Sequence, residues 1–359
     1  MDLWRYCTAE KWQEFLVSLD LLGSAPADRE AYFRCLYALS NHPEAHYRTL
    51  SVPKRGGGRR TLREPDALLK KVQKNILRHI LDGAPVSEYA CAYRKGMGVR
   101  QNAAIHLGQP MILKLDIHDF FGSITFPMVM RSAFPGTLFP PAAATMLTSL
   151  CCFRDVLPQG APTSAAISNL VMEPFDRHMG AWCAARGIRY SRYCDDMTFS
   201  GAFDAGEVEA KVRAFLEAMG FSLNRKKTKL MTAGRRQTVT GLVVNEKLQV
   251  PREYQRALRQ ELYFCETYGV RSHMERKNGR VPSEEEAARY LESLAGKVAY
   301  VASVDPESEN ARRMQEKIKN LIKNNWKFHK TSCIICVVQT WERRERSCCT
   351  TFCFSDKLF

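Results

Sequence analysis

The chain has 359 residues, 45% of them hydrophobic, with a formal charge of +15 and a pI near 9.3. That size and apolar content allow a buried core in two or three subdomains and exclude a disordered chain, while the basic excess points to a polyanionic partner such as nucleic acid. No stretch is long and apolar enough for a membrane span, the start Met1-Asp2-Leu3-Trp4-Arg5 lacks a signal-peptide layout, and 13 cysteines without a secreted framework spacing read as reduced thiols of a cytoplasmic protein.

Residues 10–22 read as an amphipathic helix with Trp12, Phe15, Leu16, Leu19 and Leu22 on one stripe, and more helix is expected over 29–40. Residues 51–62 read as a strand, a Gly56-Gly57-Gly58 turn and a returning strand, ringed by Lys54, Arg55, Arg59 and Arg60. The spacing predicts a helix over 66–81, opened by Pro65-Asp66 and burying Leu69, Val72, Ile76 and Ile80. Gly96 and Gly98 beside Arg94 and Lys95 suggest a basic loop near phosphate, and Asn102 with His106 would ordinarily be a hydrogen-bonding pair at a helix end.

Met111-Ile112-Leu113-Lys114-Leu115-Asp116-Ile117 reads as a buried strand delivering a carboxylate at its far end. Pro140-Pro141 marks a break, and residues 157–164 lead into a helix through Leu170 and Val171. Residues 189–200 read as a tight hairpin with Asp195-Asp196 at its tip. An isolated Asp-Asp turn is ordinarily just solvated, but joined by the acid of a neighbouring strand it becomes a set of hard oxygen ligands for two divalent cations. A helix over 204–219 is ended by Gly220, and the following Arg225, Lys226, Lys227 and Lys229 form a basic patch. From Pro251 onward the chain reads as helical and basic, with Ser283 and Glu286 in capping-box form. Residues 311–330 carry Arg312, Arg313 and Lys317 against an apolar side of Ile318, Leu321 and Ile322. The tail 331–359 holds Cys333, Cys336, Cys348, Cys349 and Cys353, and Cys333 with Cys336 has half of a zinc-site spacing.

Three boxes in order carry a family resemblance. Leu115-Asp116-Ile117-His118-Asp119-Phe120-Phe121, Leu157-Pro158-Gln159-Gly160 and Tyr193-Cys194-Asp195-Asp196 resemble the first catalytic box, the Leu-Pro-Gln-Gly box and the Tyr-x-Asp-Asp box of reverse transcriptases. Asn102-Ala103-Ala104-Ile105-His106 and Val239-Thr240-Gly241 resemble hallmarks of the retron branch. The resemblance covers roughly residues 50 to 328 and says nothing of the tail.

That resemblance implies an α+β right-hand polymerase. Residues 1–110 would form N-terminal helices and fingers, 111–236 a palm with an antiparallel sheet and inserted fingers helices, and 237–330 a helical RNA-binding thumb. Asp116, Asp195 and Asp196 would hold two Mg²⁺ ions, for which Mn²⁺ can substitute, with the Ile117 carbonyl as a further ligand. Lys227, in a box similar to Asn-x-x-Lys-Thr, would donate a proton to the leaving pyrophosphate or stabilise its charge. Lys54, Arg60, Asp119, Phe120, Phe121 and Gln159 would surround the incoming dNTP, with Phe121 excluding a 2′-OH and Phe120 open to a core reading. Asn102, His106, Val239, Thr240, Gly241, Arg312, Arg313 and Lys317 would bind RNA. A retron enzyme would act on its own structured RNA, start on a 2′-OH of a guanosine, leave a branched RNA–DNA hybrid (msDNA), rely on a host RNase H and serve antiphage defence with an effector protein. Two alternatives stay open: a reverse transcriptase extending a 3′-OH primer, and a non-catalytic RNA-binding scaffold.

Overall fold

The computed structural model describes Trp4 and residues 7–23, 28–53 and 57–325, so Lys54, expected to hold the nucleotide, and the cysteine-rich tail 331–359 lie outside the described residues. The chain divides into two compact units, Met1–Arg235 and Arg236–Phe359. No helix among the described residues is long and apolar enough to cross a membrane.

The first unit begins with α1 (Ala9–Ser18) and α2 (Arg29–Asn41). α1 stops short of the expected residue 22 because Asp20 turns the backbone to φ +45°, which sends Leu21 rather than Leu22 fully into the core. β1 (Tyr47–Pro53) and β2 (Arg59–Pro65) form an antiparallel hairpin exposed over most of its length. Asp66 caps α3 (Ala67–Ile76) by accepting from the Leu69 amide at 2.8 Å. One wide turn follows at Leu77–Leu81, where the Asp82 amide reaches back to the Leu77 carbonyl. The extra residue in that turn rotates the stripe by one position, so Leu81 is buried and Ile80 only partly so.

α4 (Val99–Ile105) leads into β3 (Met111–Asp116), and α5 (Phe126–Ala133), α6 (Pro141–Cys151) and α7 (Ser164–Ala184) precede the hairpin of β4 (Arg189–Tyr193) and β5 (Asp196–Ser200). α8 (Ala205–Ala218) and β6 (Lys229–Thr232) complete a four-stranded antiparallel sheet of order β4-β5-β3-β6. β3 is central, and Ile112, Leu113 and Leu115 are all buried, as a strand covered on both faces requires. α4 and α7 both pack on β4. Gly180 of α7 leaves room for the ring of Tyr89, in the loop ahead of α4: a Cβ there would fall 2.0 Å from one of its ring carbons.

The second unit opens with a hairpin of β7 (Thr238–Val239) and β8 (Leu242–Val243), followed by α9 (Arg252–Tyr268), α10 (Val270–Asn278), α11 (Glu284–Val304) and α12 (Glu309–Asn325). Leu258, Leu262, Leu294, Val298, Met314 and Ile318 bury the helices against one another. The Ser283–Glu286 capping box forms, with the Glu286 amide 3.2 Å from the Ser283 hydroxyl and the Ser283 amide 2.9 Å from the Glu286 carboxylate.

Candidate active site

The sheet brings three carboxylates to one end. Asp116 ends β3 and pairs in register with Asp196, which begins β5. Cys194 and Asp195 form the turn between Tyr193 and Asp196, with Cys194 at φ +61°, and the Asp195 carbonyl accepts from the Ile117 amide at 3.2 Å. Asp116 is buried. Its Oδ1 accepts from Asn224 Nδ2 at 3.1 Å, its Oδ2 from Lys227 Nζ at 2.7 Å, and its carbonyl from the Asn224 amide at 2.8 Å. Burial pushes the Asp195 carboxyl upward and the Asp116 charge adds to that; burial and the other two carboxylates likewise raise Asp196 against the pull of Lys114. Burial alone would lower Lys227, but its bond to Asp116 and the surrounding acids carry it upward.

Two buried polar groups hold β4 from opposite sides. Toward α7, Arg192 and Asp176 are both fully enclosed: Nε and Nη2 donate to the two carboxylate oxygens at 2.9 and 2.6 Å. Arg192 Nη1 also donates to the Asn169 side chain at 3.2 Å and to the Cys194 carbonyl at 3.0 Å, and the Tyr190 hydroxyl donates to Asp176 at 2.8 Å. Toward α4, the Ser191 hydroxyl donates to Asn102 Oδ1 at 2.7 Å, so its oxygen accepts from His106 Nε2 at 2.8 Å. His106 Nδ1, left as an acceptor, takes the Ser200 hydroxyl at 2.7 Å. Burial, helped by the Arg189 charge, lowers the His106 pKa to about 3, which keeps this chain neutral.

The remaining predicted residues scatter more widely. Phe121 is half-buried beyond the end of β3, but Phe120 turns into the core against Phe221, since Asp119 reverses the backbone at φ +41°. Phe120 is therefore a core side chain, a correction to its place among nucleotide contacts. Asp119 is exposed. Gln159 lies in the loop before α7, its carbonyl accepting from the Arg63 amide at 2.8 Å, and Gly160 at φ +122° lets the Arg63 backbone approach. Arg60 is exposed on β2 opposite Val52.

Asn102 and His106 are buried at 1% and 0% exposure with partners inside the sheet, so the expected RNA contact gives way to an internal one. Val239 is likewise buried, while Thr240 and Gly241, at φ +45° and +82°, form the two-residue turn of the β7–β8 hairpin. On α12, Arg312 is exposed, Arg313 pairs with Glu309 and Lys317 with Glu266, so two of the three cations are already engaged.

Residues 52–286 match the family model described as reverse transcriptase (RNA-dependent DNA polymerase). The chain is 33% identical over 240 residues to the retron Ec86 reverse transcriptase of Escherichia coli, covering 65% of this chain and 74% of that protein. The chain belongs to the retron-type reverse transcriptases. It is also 34% identical over 281 residues to the retron Mx65 reverse transcriptase of Myxococcus xanthus, covering 73% of this chain and 62% of that protein. It therefore spans less than two thirds of the length of that relative. Among solved structures, a telomerase from Candida albicans in complex with a telomeric RNA fragment aligns with a TM-score of 0.43 and 10% identity, over 82% of this chain and 66% of the other.

Family membership implies dependence on a divalent metal. The donors of this reverse transcriptase suit one: three carboxylates, two of them raised by burial and mutual repulsion that a hard cation relieves. In the arrangement seen here, with Asp116 paired to Lys227, no three acidic, histidine or cysteine side chains among the described residues form a ready-made ion site, so the fit is one of donor type. Sequence reasoning missed Arg192, Asp176 and Asn169, and had Asn224 only as the first residue of the Lys227 box, without its bond to Asp116. A signal existed for one of them: Asp176 falls on the inward stripe of Met172, Phe175 and Met179, where an acid needs a buried cation.

Proposed function

We propose that this chain is an RNA-directed DNA polymerase that extends a hydroxyl on its own structured RNA with dNTPs and yields a branched RNA–DNA hybrid. The observation that carries the reading is the Asp116–Asp196 register beside the Asp195 turn, in a chain of this family. Asp116, Asp195, Asp196 and the Ile117 carbonyl would hold two Mg²⁺ ions, or Mn²⁺ in their place, which supply activation of the attacking hydroxyl and neutralisation of charge on the phosphates.

The chain's own residues do the rest. Asn224 orients Asp116, so the carboxylate is fixed before substrate arrives. The Lys227 ammonium, near the three acids, stabilises or protonates the leaving pyrophosphate. The Phe121 ring blocks a 2′-OH, Gln159 orients the incoming nucleotide from its loop, Asp119 lies near the triphosphate, and Lys54 and Arg60 hold it. Arg312 is the α12 cation best placed for RNA, with Arg313 and Lys317 available once their ion pairs open. The fingers, palm and thumb follow the boundaries 1–110, 111–236 and 237–330. The enzyme works in the cytoplasm, leaves RNA removal to a host RNase H and serves antiphage defence with an effector protein.

The test is to purify the protein from its native host and sequence the nucleic acid that accompanies it, before and after debranching enzyme. The expected product is a short DNA joined 2′–5′ to one structured RNA. Linear DNA on a 3′-OH junction would keep the polymerase and discard branched priming. RNA without DNA would favour a scaffold.

A further inference from the structure

One aromatic ring beside the catalytic turn has no part in the chemistry above. Tyr93 is 55% exposed and sits at a backbone φ of +58°. A bulky residue holds that conformation only where its surroundings dictate it. They do here. Ala90, Cys91 and Ala92, just before it, are buried, and Ala90 forms a parallel bridge to Arg192. The Cys91 amide donates to the Arg192 carbonyl at 2.8 Å, and Asn169 Nδ2 donates to the Ala92 carbonyl at 2.9 Å. Tyr89, further back, is seated on Gly180.

The far end of the side chain is fixed too. Tyr93 Oη donates to Cys194 Sγ at 3.4 Å, and Cys194 directly precedes Asp195 in the turn. Arg94 folds back onto the Ser87 and Glu88 carbonyls at 3.4 and 3.2 Å. The hydroxyl end is thus tethered while the side chain as a whole stays exposed, one side chain away from a catalytic aspartate. An exposed aromatic side chain on a rigid base beside a nucleotidyl-transfer site suits a nucleotide, because every base presents a π-face and stacking tolerates any sequence.

We propose that Tyr93 is the platform for the last nucleotide of the strand being extended, its ring packing on that nucleotide while its hydroxyl holds the Cys194–Asp195 turn. The proposal rests on the polymerase reading. Its test uses the full chain and a primer–template duplex with 2-aminopurine as the last primer nucleotide, first without dNTPs and then in extension. Tyr93→Asn removes the ring yet suits the left-handed backbone, and Tyr93→Phe keeps the ring. Wild type and Tyr93→Phe are expected to quench the probe equally. Tyr93→Asn is expected to lose the quench, to bind the duplex about tenfold more weakly, and to raise KM for the duplex while leaving KM for dNTP unchanged. Equal quench and affinity in Tyr93→Asn, or a change confined to KM for dNTP, overturns the platform. A wild-type chain that quenches through Tyr93 but never extends the primer sinks the polymerase reading and leaves the platform standing; one that binds no duplex sinks both.

Discussion

The two sides of β4 are held by different chemistry. Facing α7 is a charged pair, Arg192 with Asp176, fully enclosed and continued to the Cys194 carbonyl in the turn. Facing α4 is a neutral chain, Ser200 to His106 to Ser191 to Asn102, which spans β4 and β5 without touching the turn. A buried charge left alone cannot be re-solvated, whereas a neutral hydrogen bond lost inside the fold costs far less. The charged side should therefore govern both stability and the aspartate turn, and the neutral side stability alone.

Arg192→Met breaks the charged side and should have the largest effect. It strands Asp176 and should cost about 3–5 kcal/mol in urea unfolding. Adding Asp176→Leu should return most of that stability, because both charges are then gone. Primer extension should stay low in the double variant, since the Cys194 carbonyl still lacks its donor. Full recovery of extension would reduce the pair to a structural element and erase the contrast between the sides. Gly180→Ala, four residues along α7, tests the same side without touching a charge. Its Cβ would overlap the Tyr89 ring, so a loss of about 1–3 kcal/mol is expected by thermal melting.

The neutral side should show itself through pH. His106 has a folded pKa lowered to about 3 from 6.5 by burial and then by the Arg189 charge. Between those values the unfolded chain binds the proton and the folded chain does not. The contribution is therefore complete above pH 6.5 and falls with pH through the window down to about 3. At pH 5 the loss should be about 2 kcal/mol. His106→Gln should flatten that part of the acid limb relative to wild type, measured as urea midpoints across the window. An unchanged limb would mean His106 is not a neutral buried group.

What was legible in the sequence follows from the range of each interaction. The acids of the turn announced themselves because Asp195 and Asp196 are adjacent, and Asp116 because an apolar strand ends on it. Arg192 and Asp176 lie 16 residues apart on a strand and a helix, and only the packing of α7 on β4 brings them together. Asn102 and His106 were visible as a pair, but their partners Ser191 and Ser200 are 89 and 94 residues away, so an inward role could not be told from an RNA contact. Phe120 and Phe121 are equivalent in a spacing argument, and the positive φ at Asp119 separates them. The cations of α12 were legible as composition, whereas the neutralisation of Lys317 by Glu266 depends on how α12 packs against α9.

The finest distinction lies within the neutral chain itself. Ser191→Ala removes two hydrogen bonds and orphans the His106 Nε2–H donor as well as Asn102 Oδ1, beside an Asn102 Nδ2 that already has no partner. Ser200→Ala removes one bond and leaves only an acceptor, His106 Nδ1, unsatisfied. The first should cost about 2 kcal/mol and the second about 1 kcal/mol. The smaller change carries a second readout. Ser200 donates to the basic nitrogen of His106, and losing that bond removes an interaction made only with the neutral ring. The folded pKa of His106 should rise, while the unfolded value stays put. Acid loss in Ser200→Ala should therefore begin at the same pH as in wild type and finish sooner, with a smaller total, and NMR titration of the imidazole reads the shift directly. A pKa that does not move would reverse the donor direction assigned here, placing the proton on Nδ1 rather than Nε2 and turning the chain to run from His106 toward Ser200.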